Sequence, residues 1–537
     1  MAEKIIETPS LKTQSAWLLF AKVIGFGLAF LLPLILVRFL SQEKVGVYRQ
    51  VFLVIINAVT ILPLGVSMSA YYFLSRETAE RRSSAIFNIL IFNFFVGGIA
   101  CLTLYLYPQL IGNIFHSKEI TLLTPKIGVV IWLWIFSLFL ETVAVANQEP
   151  RMATVFIIFA QFTKMAFMVS AVILFATVEA FVYAAMLQGV VQTVILLVYL
   201  NSRFPRFWRT FDPKFLREQL FYALPFGLVG LLWIVQTDIH NYFVGYRFSS
   251  AEFAIYAYGC FQLPLIAMLA ESVTSVLIPR MSELQARNDT REIIRLTLRA
   301  TQKLAFFYFP IYIFLVITAQ TFITTLFTRN YLASVPIFLI NLTLLPFYIS
   351  VTDPIVRAYQ ELGKILLTLR VLILVALVAA LYYGIQNFDL RGMIAIVVVT
   401  ALVEKFIFTF VVFKKLDVKK GDLFLLKDVG KTAAASLTAG FFTFLFYWRF
   451  NEIIFAWGAN LTQAIFAEPK AGITDFIAGS IVLGFSALIF APVYLLTANY
   501  FGIIENGEKE KIVSVVRRLF SVVRKPVIQN PKSEIQN

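Results

Sequence analysis

About fourteen stretches of this sequence stay apolar for some 20 residues, the length of α-helix that crosses a bilayer. They fall near 15–37, 51–74, 85–107, 124–146, 152–175, 179–200, 219–245, 253–278, 302–327, 333–356, 364–385, 392–413, 431–450 and 474–498. Lipid offers no partner to a free backbone group, so each run must close its hydrogen bonds internally as a helix. Charged residues make up 14% of the 537 and hydrophobic residues 59%, whereas soluble domains carry roughly 25% charge. The expected class is an all-α polytopic membrane protein, and in that setting the formal charge of +15 does not call for nucleic acid.

Two short patterns recur at one offset of about 210 residues, the signature of an internal duplication. Arg38-Phe39-Leu40-Ser41-Gln42-Glu43 returns as Arg247-Phe248-Ser249-Ser250-Ala251-Glu252. Glu141-x4-Ala146-x-Gln148-Glu149 returns as Asp353-x4-Ala358-x-Gln360-Glu361. The chain therefore divides into a six-helix lobe over 1–215, a second over 216–425, an added transmembrane hairpin over 426–500 and a basic amphipathic tail over 501–537. Six helices per lobe make both lobes start on one side, so the repeats are parallel. Arg38, Glu43, Arg247 and Glu252 are read as structural residues of the repeated turns. Pro63 and Gly65 are expected to kink the second helix. The hairpin is expected to close through an external loop near 451–473.

Lys and Arg collect after the sixth, eighth and twelfth helices and in the tail, on the side that holds the N-terminus, which puts both termini in the cytoplasm. The tail is expected to lie on the anionic inner leaflet as a surface anchor, with a regulatory role as the alternative. Met1 to Gln14 is polar, and the apolar run that follows has no cleavage pattern, so no secretory signal is expected. Cys101 and Cys260 sit inside apolar runs and read as packing residues, without disulfide or metal.

An ionisable side chain at bilayer depth costs at least about 2.5–3.5 kcal/mol, so each one asks for a reason. Lys22, Lys164, Arg370 and Lys405 form a cationic set that spans both lobes, with Lys164 and Arg370 on corresponding helices. Lys22, Lys164 and Arg370 have no obvious acidic neighbour along their own helices and fit an anion that comes and goes, such as phosphate or pyrophosphate. Glu404 and Lys405 point about 100° apart on a helix and are not expected to face one cavity squarely. Asp238, His240, Glu271 and Glu404 are candidates for ion coupling. For Asp238 and His240 a mutual or interlobe hydrogen bond is an equal alternative. Glu141 and Asp353 read first as helix-end contacts or a structural ion pair.

The Arg-Phe-x-Ser-x-Glu turn, followed by Gly46-x-Tyr48, resembles the polysaccharide transporter (O-antigen flippase) branch of the multidrug/oligosaccharidyl-lipid/polysaccharide exporter superfamily. Ala257-Tyr258 through Ile278-Pro279-Arg280-Met281-Ser282-Glu283 is similar to that family's second-lobe signature. The resemblance implies a V-shaped, MATE-like pair of bundles around a central cavity. It also implies export of a polyprenyl-pyrophosphate-linked oligosaccharide from the inner to the outer leaflet of the bacterial cytoplasmic (inner) membrane, by alternating access, for O-antigen and lipopolysaccharide assembly. Membrane lipids and polysaccharide-assembly proteins are the implied partners, and no cofactor is.

Two relatives within that superfamily remain as alternatives. A multidrug/cation antiporter would be expected to show an acidic residue where the first helix has Lys22. A peptidoglycan-precursor flippase would share fourteen spans and a cationic cavity, but its acidic-aromatic and Glu-Gly stretches after the first helix are not found. Gly-rich phosphate loops, zinc spacings and nucleophile elbows are also not found. A polymerase or ligase would need catalytic groups on a sizeable external loop, and the stretch near 451–473 holds no His. A transporter, not an enzyme, is expected.

Overall fold

The computed structural model describes residues 11–466 and 471–504, and every regular element among them is a helix. The expected tail lies outside the described residues from 505 onward. The first lobe contains α1 (Leu11–Phe39), α2 (Gln42–Ile61), α3 (Ala70–Arg76), α4 (Ala79–Leu106), α5 (Gln109–Phe115), α6 (Lys118–Ser137), α7 (Phe139–Ala146), α8 (Pro150–Leu174) and α9 (Val178–Arg203). The second contains α10 (Pro213–Arg247), α11 (Ser250–Gly259), α12 (Pro264–Ala286), α13 (Thr290–Phe327), α14 (Ser334–Leu342), α15 (Asp353–Ala358), α16 (Gln360–Asn387) and α17 (Leu390–Lys415). A short α18 (Lys420–Leu423) leads to the hairpin α19 (Lys427–Ile465) and α20 (Ala471–Tyr500).

Among the described residues, twelve helices are long and apolar enough to cross a membrane, which makes this a multi-pass membrane protein. The other two expected spans, 253–278 and 333–356, are interrupted. The first breaks at Cys260–Leu263 between α11 and α12, and the second at a 3-10 turn, Leu345–Ile349, between α14 and α15. Their counterparts in the first lobe break too. The second helix stops after α2, where Pro63 precedes Leu64 and Gly65, both in the left-handed region with φ of 48° and 74°. The fourth is interrupted at Leu138, between α6 and α7. The duplication is thus repeated in the positions of the breaks, which hydropathy alone does not register because the broken segments are as apolar as the whole ones.

The repeated turns work as helix caps. The Ser41 side chain accepts from the Lys44 N–H at the start of α2, with Glu43 in the first turn where the helix dipole favours a carboxylate. Ser249 caps α11 in a capping box: its hydroxyl accepts from the Glu252 N–H at 3.3 Å, and Glu252 Oε2 accepts from the Ser249 N–H at 2.9 Å. The two arginines have diverged. Arg38 donates from Nε to Gly472 O (3.1 Å), from Nη1 to Leu326 O (3.0 Å) and to Leu34 O, and from Nη2 to Thr325 O (2.7 Å). It thereby ties α1 to α13 and to the start of α20, whereas Arg247 lies against the ring of its own neighbour Phe248.

These turns mark the end at which the lobes close on each other. There α2 packs against α11 so tightly that a Cβ on Gly46 would lie 1.7 Å from the Ser250 carbonyl oxygen. Ser250 Oγ donates to Gln50 Oε1 (3.3 Å), Gln42 Nε2 donates to Asn330 O (2.6 Å), and His116 Nδ1 lies 3.0 Å from Tyr246 O. Toward the opposite end α10 leans on the first lobe: Phe215 meets Phe73 edge-on, and Asn88 Nδ2 donates to Gln219 Oε1 (3.1 Å). One helix of the second lobe is therefore shared by both cores.

The hairpin packs on α13, with Tyr494 OH donating to Phe306 O (2.7 Å). Most of the stretch expected as its loop is helical, since α19 runs on to Ile465 with Gly458 and Thr462 still buried. At 1.5 Å per residue α19 is about 58 Å long, well beyond the about 30 Å of hydrocarbon. The stretch stays helical because it keeps a packed face, with Gly458 close against Ala478 of α20.

Candidate functional site

Between the lobes lies one large cavity of about 1500 Å³, lined from both halves of the chain. It is capped at the turn-bearing end by the α2–α11 contact and extends to Thr274, Asp353 and Arg357 at the other. The broken segments supply much of its wall, through Phe261, Gln262 and Leu263 of one break and Leu345, Tyr348 and Ser350 of the other. Irregular backbone at membrane depth is tolerated where it borders such a space.

The cations that were expected together are partly separated. Lys164, Arg370 and Lys405 all line the cavity, and Lys22 does not. Lys22 Nζ lies 3.9 Å from Glu271 Oε1, a half-exposed cation on α1 facing an exposed carboxylate on α12, so this pair bridges the lobes beside the cavity. Arg370 also has a carboxylate, supplied by a different helix: its Nε is 3.4 Å from Glu404 Oε1, and Glu404 accepts from Gln236 Nε2 as well. The guanidinium sits between the rings of Trp233 (5.2 Å) and Phe408 (5.7 Å). Lys164 Nζ rests 4.9 Å from the Trp134 ring and Lys405 Nζ 5.7 Å from the Tyr348 ring. Among the described residues neither lysine has a carboxylate within 4 Å.

Glu404 and Lys405 both reach the cavity, because its wall curves around α17 widely enough to meet two directions about 100° apart. Asp238 and His240 line it too, but they are not joined to each other: the His240 ring nitrogen Nδ1 lies 2.8 Å from Tyr256 OH of α11. Nearby, Asn57 Nδ2 of the first lobe donates to Tyr242 OH (3.2 Å). Arg357 Nε bonds Asp353 Oδ2 at 2.8 Å within α15, the local helix contact expected for Asp353.

Arg49 is a cavity cation that the sequence reading left in a turn. The expected span began at residue 51, whereas α2 begins at Gln42 and places Arg49 two helical turns inside. The apolar Val45, Val47 and Tyr48, which carry the span back ahead of residue 51, are the signal that was available. Gln236, Asn57 and Trp233 were missed because uncharged polar and aromatic residues do not stand out in an apolar helix.

The Arg370–Glu404 pair makes a stability prediction. The two side chains are 25% and 13% exposed, so Arg370→Ala leaves a carboxylate stranded in a poorly solvated wall. The expected cost is about 1–3 kcal/mol, below the roughly 3–5 of a fully buried pair. Arg370→Ala/Glu404→Gln should recover most of the lost melting temperature in detergent. Strictly additive losses would mean that the two groups do not depend on each other.

Residues 35–336, more than half of the chain, match the family described as polysaccharide biosynthesis protein. The chain belongs to this family. No curated protein sequence matches it. Its fold is that of the multidrug/oligosaccharidyl-lipid/polysaccharide exporter superfamily. The lipid II flippase MurJ, in an inward closed conformation, superposes with a TM-score of 0.66 at 14% identity, covering 91% of this chain and 98% of that one. An inward-facing multidrug resistance MATE transporter of that superfamily gives 0.58 at 18% identity, covering 73% and 94%. A superfamily transporter from Pyrococcus furiosus, described by a reversed polarity of its binding pocket, gives 0.53 at 16% identity, covering 76% and 97%. By family it is a polysaccharide biosynthesis protein, and it shares its fold with transporters of that superfamily.

Proposed function

We propose that this protein moves a polyprenyl-pyrophosphate-linked oligosaccharide from the inner to the outer leaflet of the bacterial cytoplasmic membrane, for cell-surface polysaccharide assembly such as that of O-antigen. The observation that carries the reading is Lys164, a cation on the cavity wall with no carboxylate within ion-pair distance among the described residues, joined on the same wall by Lys405, which makes no ion pair but has Glu404 and Asp353 nearby. A cation held in a membrane protein without an acidic partner is matched by an anion that arrives from outside, and a diphosphate supplies it. The cavity also exceeds the about 300–1,000 Å³ of an ordinary small-molecule pocket, which suits a glycan head group. The lipid tail stays in the bilayer throughout. Both termini lie in the cytoplasm in this reading, so the cavity faces the side on which the glycolipid is made.

The test is leaflet translocation in proteoliposomes, with three cargoes: a fluorescent polyprenyl-pyrophosphate oligosaccharide, lipid II, and a cationic dye. Movement of the oligosaccharide lipid is expected. Movement of the dye alone would overturn the reading in favour of an antiporter. Movement of lipid II alone would favour a peptidoglycan-precursor flippase, to which the hairpin α19–α20 lends support because the MurJ superposition extends over 91% of this chain.

A further inference from the structure

At the capped end of the cavity a group of hydrogen-bond donors finds no acceptor among the described residues. Arg49 Nε is buried without a partner, and among the described residues the guanidinium makes no ion pair. It lies instead 4.8 Å over the ring of Tyr258. Tyr258 is fully buried, lines the same cavity, and its hydroxyl has no hydrogen-bond partner. Behind it stands Tyr331, ring to ring at 5.0 Å, with a buried hydroxyl in the same condition. Gln50, next to Arg49, has an unpartnered Nε2. Native interiors satisfy the large majority of buried polar groups, so several unmet donors around one cation call for a common acceptor. Of these groups Arg49 and Tyr258 line the cavity, where an oxyanion can meet them, and a planar guanidinium is suited to grip a phosphoryl group through two parallel bonds.

The position adds a consequence. Arg49 and Tyr258 are separated by the same offset that relates Arg38 to Arg247, so they are equivalent positions of the two repeats and face each other across the seam between the lobes. The cation–ring contact is one of the few side-chain ties across α2 and α11, together with Ser250 to Gln50. We propose that Arg49 and Tyr258 form a second anion seat at the apex of the cavity, and that a phosphoryl oxyanion entering it draws Arg49 off the Tyr258 ring and so releases the lobes at the capped end. The seat rests on the glycolipid reading given above and divides it into two stations, mid-depth cations that receive the diphosphate and an apical arginine that reports its arrival. A cation–ring tie suits such a lock better than an ion pair, because an incoming anion competes with it directly and leaves no carboxylate behind to repel the cargo.

The probe is inorganic pyrophosphate, added to the full-length protein in nanodiscs. The readout is the labelling of Gln42→Cys, at the capped face, by an impermeant maleimide, corrected for the parent's Cys101 and Cys260. Pyrophosphate should raise the labelling rate by about fivefold or more, the lower range of coupling between linked sites. Tyr258→Phe keeps the ring and its stacking on Phe327, so it folds as the parent does, yet it should lose most of that rise. Arg49→Lys keeps the charge without the fork and should lose it as well. A rise equal to the parent's in both variants overturns the seat, including the case in which water already meets these donors. Glycolipid transport by those variants at the parental rate, with the parent's full rise in labelling, defeats the seat and leaves the flippase reading intact. Pyrophosphate-driven labelling without any glycolipid transport by the parent supports the seat and defeats that reading.

Discussion

Gly46→Leu is expected to hold the two lobes apart at their capped end and to reduce translocation to background. A Cβ at this position would lie 1.7 Å from the carbonyl oxygen of Ser250, a backbone atom that no rotamer change can move. Relief requires α2 and α11 to separate, and overpacking of this kind costs about 1–3 kcal/mol or more. That is enough to change the ratio of capped to uncapped protein by roughly 5- to 150-fold, which in an alternating-access cycle strands the protein on one side. Beside the cluster that both lobes share, each keeps a core of its own, around Phe139, Leu196 and Ile89 in the first and Tyr256, Leu381 and Met393 in the second, so insertion and monodispersity should survive. The measurement is crosslinking between cysteines placed at Gln42 and Asn330, whose parent residues share a hydrogen bond at the capped end. Crosslinking and transport at parental levels would show that this contact does not need glycine.

Lys164→Met should separate function from stability. The lysine meets the Trp134 ring and no carboxylate among the described residues, so the folded protein bears its desolvation cost with little return. Removing the charge is expected to stabilise the protein by about 1–3 kcal/mol, seen as a higher melting temperature in detergent. Glycolipid transport should meanwhile fall by at least about tenfold, the loss of one charge-assisted contact to the diphosphate. Lys164→Arg should retain more activity than Lys164→Met. A stabilised Lys164→Met with normal transport would remove this lysine from the site. Arg370 behaves differently because Glu404 depends on it, and its truncation should cost stability as well as transport.

The contrast between these two cations shows how far the sequence carried the site. That Lys164, Arg370 and Lys405 belong to the cavity wall followed from charge at bilayer depth, which needs only the sequence and the solvation properties of lipid. Which of them had partners did not follow. Glu404 reaches Arg370 from the next helix, and Glu271 reaches Lys22 from the other lobe, and neither approach is visible along a single helix. Of the alternatives for Asp238 and His240, a mutual hydrogen bond is not formed: His240 bonds Tyr256, because helical residues two apart diverge while a neighbouring helix can supply a partner at any sequence distance. Arg49 was placed in a turn because hydropathy locates the middle of a span better than its ends.

The sequence by itself determined the all-helical class, since the bilayer's length scale and its refusal of unpaired backbone leave few alternatives to a chain this apolar. It also determined the kink at Pro63 and Gly65, where one residue lacks a donor and the other adopts a left-handed φ. Only the tertiary structure decided that two of the expected spans are broken around the cavity, that α10 serves both cores, and which end the lobes close. Those features depend on contacts between residues far apart in the chain, and in an apolar helix the residues that make such contacts look like the residues that face lipid.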